Sequence, residues 1–342
     1  MLIDTIKALC ALPGVSSQED AVRDYIRTQA APYASSIRTD SMGNLIVEKK
    51  GAVPGKRRLM LCAHMDEVGL MVHSITEEGY LKFDTVGGID RRVLIGKPVL
   101  VGTHQLPGVI GLKAYHLTTA EERRKIPKLR EFYIDIGAKD REEAQRHVKL
   151  GDVAVFDSDT VEFGHGFLKA KALDDRIGCA VMVELLREPL PVDCTFVFTV
   201  QEEVGTRGAF GAAFSITPDL ALVLEGTTAA DLPDMDARQR VCAPGKGPVI
   251  PFMDGGTVYD RGLFELLRAL AQKNGIPWQT KEFISGGTDA GAIQRSKDGV
   301  RVGAISAAVR YLHTPSSVAS MEDCRNILAL SRLFLAAAAD LE

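Results

Sequence analysis

Two histidines and four acids in this chain are of the types that hold divalent cations or move protons, and most stand where buried strands end. His64 closes the run RRLMLCAH, Glu202 and Glu203 follow TFVFTVQ, Glu225 closes LALVLE, and His313 comes shortly after VGAISAAVRYL. Asp174 sits in KALDDRIG, at what reads as a helix entrance. In open α/β sheets, ligands and chemistry collect outside the carboxyl ends of buried strands. Imidazoles and carboxylates converging there are what a hydrolytic metal centre uses.

Each residue alone has a plainer explanation. His64 could end a strand with its ring bonded to backbone, and Asp66 two residues on could orient a neighbouring catalytic group. Asp174 and Asp175 could be an N-cap and a dipole-favoured acid in a first helical turn. An aspartate with two oxygens can also bridge two cations. Glu202 and Glu203 are the sharpest local signal. Adjacent acids after a buried strand repel unless a positive charge lies close, and they point in different directions. One can therefore bind a cation while the other faces the attacking water as a general base. Glu225 could be a solvated strand end, and His313 an ordinary loop histidine. Taken together, two histidines and three further acids suit two cations sharing a bridging carboxylate. HExxH, GxSxG, GxxxxGK[ST] and a GxGxxG after a strand are absent from the sequence.

The elements that would position these residues fall into two textures. Residues 2–12 and 18–31 read as helices parted by Pro13-Gly14, and MGNLIVEKK and RRLMLCAH as strands, the second covered on both faces. From about Leu70 to Phe163 short β-branched runs alternate with glycine: LMVHSI, YLKFDTV, KPVLVGT, PGVIGLKA and DVAVFDS. These predict an all-β module of barrel or sandwich type, with a short helix at EEAQRHVKLGD. The α/β texture returns near Gly166. DDRIGCAVMVELLRE, RGAFGAAFSI, YDRGLFELLRALAQKNG and MEDCRNILALSRLFLAAAAD read as helices, and TFVFTVQ and LALVLEG as strands. The simplest organisation is one α/β domain made of residues 1–69 and 164–342, with residues 70–163 inserted as a β-rich domain.

Length and composition agree with a globular protein of two domains: 342 residues, 46% apolar and 25% charged, with a net charge of −4. That charge gives no reason to expect nucleic acid or an anionic membrane as partner. The basic cluster EERRKIPKLR (121–130) reads as a solvated helix face. Six scattered cysteines without a CxxC pair read as reduced core thiols. The N-terminal helix is amphipathic rather than a signal peptide, and no apolar run is long enough to span a bilayer, so the expected compartment is the cytoplasm.

AHMDEVG, KALDDRIG, QEEVGTRGA, LEGTTAAD and VRYLHTPSS, in this order around a β-rich insertion, resemble the M42 family of dinuclear metallo-aminopeptidases across essentially the whole chain. The resemblance implies a mixed-sheet α/β/α catalytic domain of the zinc-exopeptidase kind, with the insertion as a barrel-like dimerisation domain. It implies two divalent metal ions, zinc or cobalt with manganese as a further candidate. His64 would bind one and His313 the other, Asp174 would bridge them, and Glu203 and Glu225 would each complete one shell. Glu202 would be the general base and Asp66 would orient the ligand histidine, while Asp175 falls outside the ligand set because the family tolerates an amide there. Many members carry Asp where this chain has Glu225. The resemblance further implies peptide substrates cleaved at their N-terminus, and dimers assembling into a dodecamer. The competing readings are an M20-like amidohydrolase, deacylase or carboxypeptidase on the same metal site, an endoglucanase, and a non-catalytic assembly module. The glycine-rich FISGGTDAGAI (283–293) reads either as a pocket wall or as a turn before a helix, and Thr288 and Asp289 stay outside the catalytic set.

Overall fold

The computed structural model describes residues 1–341. Three strands open the chain, β1 (Ser36–Thr39), β2 (Leu45–Lys49) and β3 (Leu59–His64). The next six are β4 (Gly69–Ile75), β5 (Leu81–Val86), β6 (Pro98–Val101), β7 (Leu106–Gly111), β8 (Tyr133–Asp135) and β9 (Val153–Phe156). The last six are β10 (Val161–Phe163), β11 (Phe167–Ala170), β12 (Cys194–Thr199), β13 (Leu220–Thr228), β14 (Arg301–Arg310) and β15 (Ser317–Ser320). The α-helices are α1 (Leu2–Ala11), α2 (Asp20–Ala30), α3 (Arg141–His147), α4 (Leu173–Leu186), α5 (Arg207–Ile216), α6 (Arg261–Lys273), α7 (Asp289–Gln294) and α8 (Met321–Ala338).

Nine strands form a mixed sheet in the order β1-β2-β12-β3-β13-β14-β15-β11-β10. Its centre, β12-β3-β13-β14, is parallel, and the strands outside it pair antiparallel. Period two decides what each face of the centre buries. Leu59, Leu61 and Ala63 of β3 and Leu220, Leu222 and Leu224 of β13 pack with α1, α2, α4, α6 and α8. Met60 and Cys62 with Ala221 and Val223 face the opposite layer of α5 and α7. A sheet covered on both faces explains why all six residues of LMLCAH are buried.

The other six strands close into an antiparallel barrel, β4-β5-β8-β7-β6-β9, around Leu70, Val72, Leu81, Phe83, Ile110 and Ile134. The chain is therefore mixed α/β with a barrel inserted after β3, as the two textures of its sequence predict. The short strand β10 pairs with β11 in the large sheet rather than joining the barrel. EERRKIPKLR departs from expectation. It forms two separate 3₁₀ turns, Glu122–Arg124 and Leu129–Glu131, with Pro127 between them. Proline lacks the N–H that a continuous helix requires there. Among the described residues no helix is long and apolar enough to cross a membrane.

Candidate metal centre

The parallel strands deliver the chemistry to one edge. Thr199 of β12 lies opposite His64 of β3, and the β3/β13 register pairs Cys62 with Val223. Carried on by two residues, that register sets Glu225 beside His64 on the face shared with α5 and α7. The distance from His64 Nε2 to Glu225 Oε1 is 3.0 Å. β14 ends at Arg310, and the turn beyond it carries His313 in a left-handed conformation. Its Nε2 lies 3.1 Å from Glu203 Oε2.

Asp174 stands between these pairs. Its Oδ1 is 3.4 Å from His64 Nε2 and its Oδ2 is 3.8 Å from His313 Nε2. It opens α4, but its backbone and that of Asp175 are not helical, which swings the carboxylate out of the helix toward the strand ends. Glycine at 226 permits this approach. A Cβ there would lie 2.5 Å from Asp174 Oδ1, and the Gly226 N–H donates to that oxygen at 3.1 Å. The ion pairs of Glu67 fix β3 relative to α4. Its Oε1 accepts from Lys171 Nζ at 2.6 Å and from Arg176 at 3.4 Å, all three side chains being buried.

The loop carrying Glu202 and Glu203 is held by side chains from other segments. Asn44 Oδ1 accepts the Val200 N–H and Glu19 Oε1 the Gln201 N–H. Asp66 accepts the N–H groups of both Glu202 (3.0 Å) and Glu203 (3.1 Å), while its Oδ1 lies 3.4 Å from His64 Nδ1. Asp66 thus joins the histidine ring to the glutamate loop. Burial pushes its carboxyl up, but the bonds from His64, Ser16 and the loop N–H outweigh this and hold it below the usual range. The barrel reaches the site too: the Gly88 carbonyl, in the turn after β5, is 2.9 Å from His313 Nδ1. A ring nitrogen so engaged leaves the other free to face a cation.

Burial works against His64 holding a proton, but the carboxylates of Glu225, Asp174 and Asp66 outweigh it and raise the ring well above its ordinary value. Burial likewise opposes protonation of His313, and Glu203 beside it lifts it to about 9. Glu202 is pushed up to about 9 by burial, with the negative Asp289, Glu203 and Asp174 adding to it and His64 opposing. Burial also raises Glu203, and places Glu225 and Asp175 well above the carboxylate range. Beyond burial, the acids here outnumber the positive charges packed against them.

A divalent cation fits that condition. One donor atom each from His64, Asp174 and Glu203 lies within 4.8 Å of the others, and the same holds for His64, Asp175 and Glu225. The buried oxygens Glu225 Oε2 and Asp175 Oδ2 have no hydrogen-bond partner. The donor set is nitrogen and carboxylate oxygen, the chemistry of zinc and its neighbours. All the site residues singled out in the sequence come together here, with Glu202 lining the same cleft. Asp175, set outside the ligands by the resemblance, is also within reach of His64 and Glu225. Sequence reasoning missed Glu19, Gly88 and Glu67, and left Asp289 out. Asp289 is buried, accepts from Thr199 Oγ1 at 2.5 Å, and lies near enough to Glu202 to raise its pKa. No local pattern marks these residues, since each acts through a partner distant in sequence.

A family model described as M42 glutamyl aminopeptidase matches residues 43–330. The chain is 40% identical over 331 residues to a putative aminopeptidase of Acetivibrio thermocellus, covering 96% of this chain and 97% of the relative. Among solved structures, an aminopeptidase from Desulfurococcus kamchatkensis superposes with a TM-score of 0.93 at 36% identity, over 99% of this chain and 95% of that one. The TET1 peptidase of Pyrococcus horikoshii, described as assembling into a tetrahedron or a large octahedral shell, superposes with a TM-score of 0.87 at 34% identity over 100% of both chains.

Proposed function

The chain belongs to the M42 peptidase family and is a metal-dependent aminopeptidase; from that premise we propose that it removes N-terminal residues from peptides at a dinuclear centre with Glu202 as general base. In this reading His64 and Glu225 would hold one cation and His313 and Glu203 the other, with Asp174 shared between them. The observation that carries it is the placement of Asp174, with one oxygen toward each imidazole at 3.4 and 3.8 Å and a second carboxylate beside each ring. When bound, two divalent cations supply Lewis acidity toward the scissile carbonyl and make water a stronger acid.

The protein's own groups do the rest. Glu202, facing the cleft, would take a proton from the attacking water in its ionised form, which cations beside it favour, and return it to the departing amine. Asp66 keeps Glu202 and Glu203 in place through their N–H groups and orients His64. Asp175 lies near enough to His64 and Glu225 to join the same shell, and its unpartnered Oδ2 is the oxygen left to do so. We take residues 70–163 as the dimerisation domain and the dodecamer as the assembly, by analogy with the TET1 relative. Six buried free thiols suit a cytoplasmic setting.

The test is hydrolysis of aminoacyl para-nitroanilides after chelation and re-addition of zinc, cobalt or manganese, with Glu202→Gln alongside. Activity is expected to vanish with the metal and return with it. Glu202→Gln is expected to keep its metal and lose roughly 10²- to 10⁴-fold in turnover. Full activity after chelation would instead favour a metal-free hydrolase such as a glycosidase working through two carboxylates alone.

A further inference from the structure

Beside the metal-type residues, the cleft has one more charged wall that the reaction leaves without a task. It encloses about 680 Å³ and is lined by Asp174, Glu202 and Glu225 together with Lys281 and the Ser285–Thr288 loop. That volume is within the range of small-ligand sites. Lys281 is 4% exposed. Apart from His313 it is the only positively charged side chain lining the cleft among the described residues.

An ammonium carries three donors and no acceptor. Lys281 Nζ spends one of them, on the Ser285 carbonyl at 3.2 Å. No carboxylate lies within ion-pair distance of it among the described residues. Asp254, the acid that acts on it most strongly, is already occupied: its Oδ1 accepts from the Gly256 and Thr257 N–H groups at 2.8 and 2.7 Å, and its Oδ2 from Tyr259 Oη at 2.6 Å. Burial accordingly lowers the Lys281 pKa, with Asp254, Glu225 and Asp174 opposing. A buried ammonium is costly unless paired, so one with donors to spare on a cleft wall is matched to an anionic group brought by a ligand.

We propose that Lys281 is a specificity-determining residue that binds a carboxylate of the peptide substrate. This rests on the aminopeptidase reading above and deepens it. The carboxylate has two possible sources, the side chain of an N-terminal Glu or Asp, or the C-terminus of a very short peptide. Both present the same planar anion, and the assay separates them.

The experiment compares kcat/KM for Glu- and Gln-para-nitroanilide, and for Leu-Ala and Leu-Ala amide, in the metal-loaded wild type, Lys281→Met and Lys281→Arg. Each pair differs by one carboxylate against its neutral isostere. The wild type is expected to favour the carboxylate member of one pair by roughly tenfold or more, the scale of a charge-assisted bond. The pair concerned identifies the source. Lys281→Met, which keeps the apolar stem, is expected to bring that ratio close to one, and Lys281→Arg to retain a preference. Melting temperature and metal content report whether the variants fold; should Lys281→Met fail to, the wild-type and Lys281→Arg ratios decide. Wild-type ratios near one in both pairs, or a ratio unchanged in folded Lys281→Met, would overturn the assignment. Failure of the metal-loaded wild type to cleave any of these substrates would count against the aminopeptidase reading itself. Turnover without a carboxylate preference counts against Lys281 alone.

Discussion

The two halves of the metal-type cluster are built in different ways. His64 and Glu225 project from adjacent parallel strands at the centre of the sheet, with side chains 1% and 4% exposed. His313 and Glu203 come from loops, with the His313 side chain 29% exposed and that of Glu203 5%. The strand half is set by register and by apolar packing on both faces, which costs roughly 1.5–3 kcal/mol per large side chain to disturb. The loop half is set by hydrogen bonds: Asp66 and Glu19 to the glutamate loop, and the Gly88 carbonyl of the barrel to His313. Asp174 belongs to both. One half is thus set by packing, and the other by polar contacts and by the inserted barrel. A cation on the loop half should exchange more readily than one on the strand half.

The largest expected effect is at the shared group. Asp174→Ala removes an oxygen from each half, so bound metal should fall in both and peptidase turnover by at least about 100-fold. Even outer partners of metal ligands cost roughly 10–100-fold when removed. Metal analysis after gel filtration with kinetics checks this, and retention of a full metal complement would refute the bridge. A smaller effect is expected on the strand half from Glu225→Asp. The carboxylate remains but retreats by one methylene from a rigid backbone, so turnover should change within about tenfold and metal binding persist. Complete loss of metal would mean that the strand half tolerates no adjustment at all.

The smallest effect concerns how the loop half is held. Glu19 is raised to about 7 by burial first and then by the negative charge of Asp66. Between its unfolded value of 4.5 and about 7, the folded chain keeps a proton that the unfolded chain has released. Stability from this group therefore falls as pH rises through that window. Glu19→Gln keeps an acceptor for the Gln201 N–H and removes the titration. Its melting temperature should vary less between pH 4.5 and 7 than that of the wild type, and an identical slope in both proteins would remove Glu19 from this role.

The same division decides how much of the molecule can be read from its sequence. The strand half is legible because LMLCAH and LALVLE are continuous apolar runs ending in a metal-type residue, and a run covered on both faces can only be central. The barrel is legible from closely spaced β-branched runs. Asp174 reads as a helix entrance, but its non-helical backbone, which makes it reach the strands, leaves no local trace beyond the adjacent Asp175. The supports of the loop half are illegible for a different reason. Glu19 meets Gln201, and Gly88 meets His313, only once sheet and barrel are assembled. EERRKIPKLR misleads because its charge pattern suits a helix face, whereas Pro127 and the like charges around it leave only two short turns.

Calorimetric titration of the metal-stripped protein with zinc tests the unequal-halves account most directly, run on the wild type, His64→Ala and His313→Ala. The account predicts two cations per chain in the wild type with clearly different affinities. His313→Ala should lose the weaker event and keep the tighter one, and His64→Ala should lose the tighter. A single binding event in the wild type, or two indistinguishable events that both histidine variants weaken equally, would contradict it.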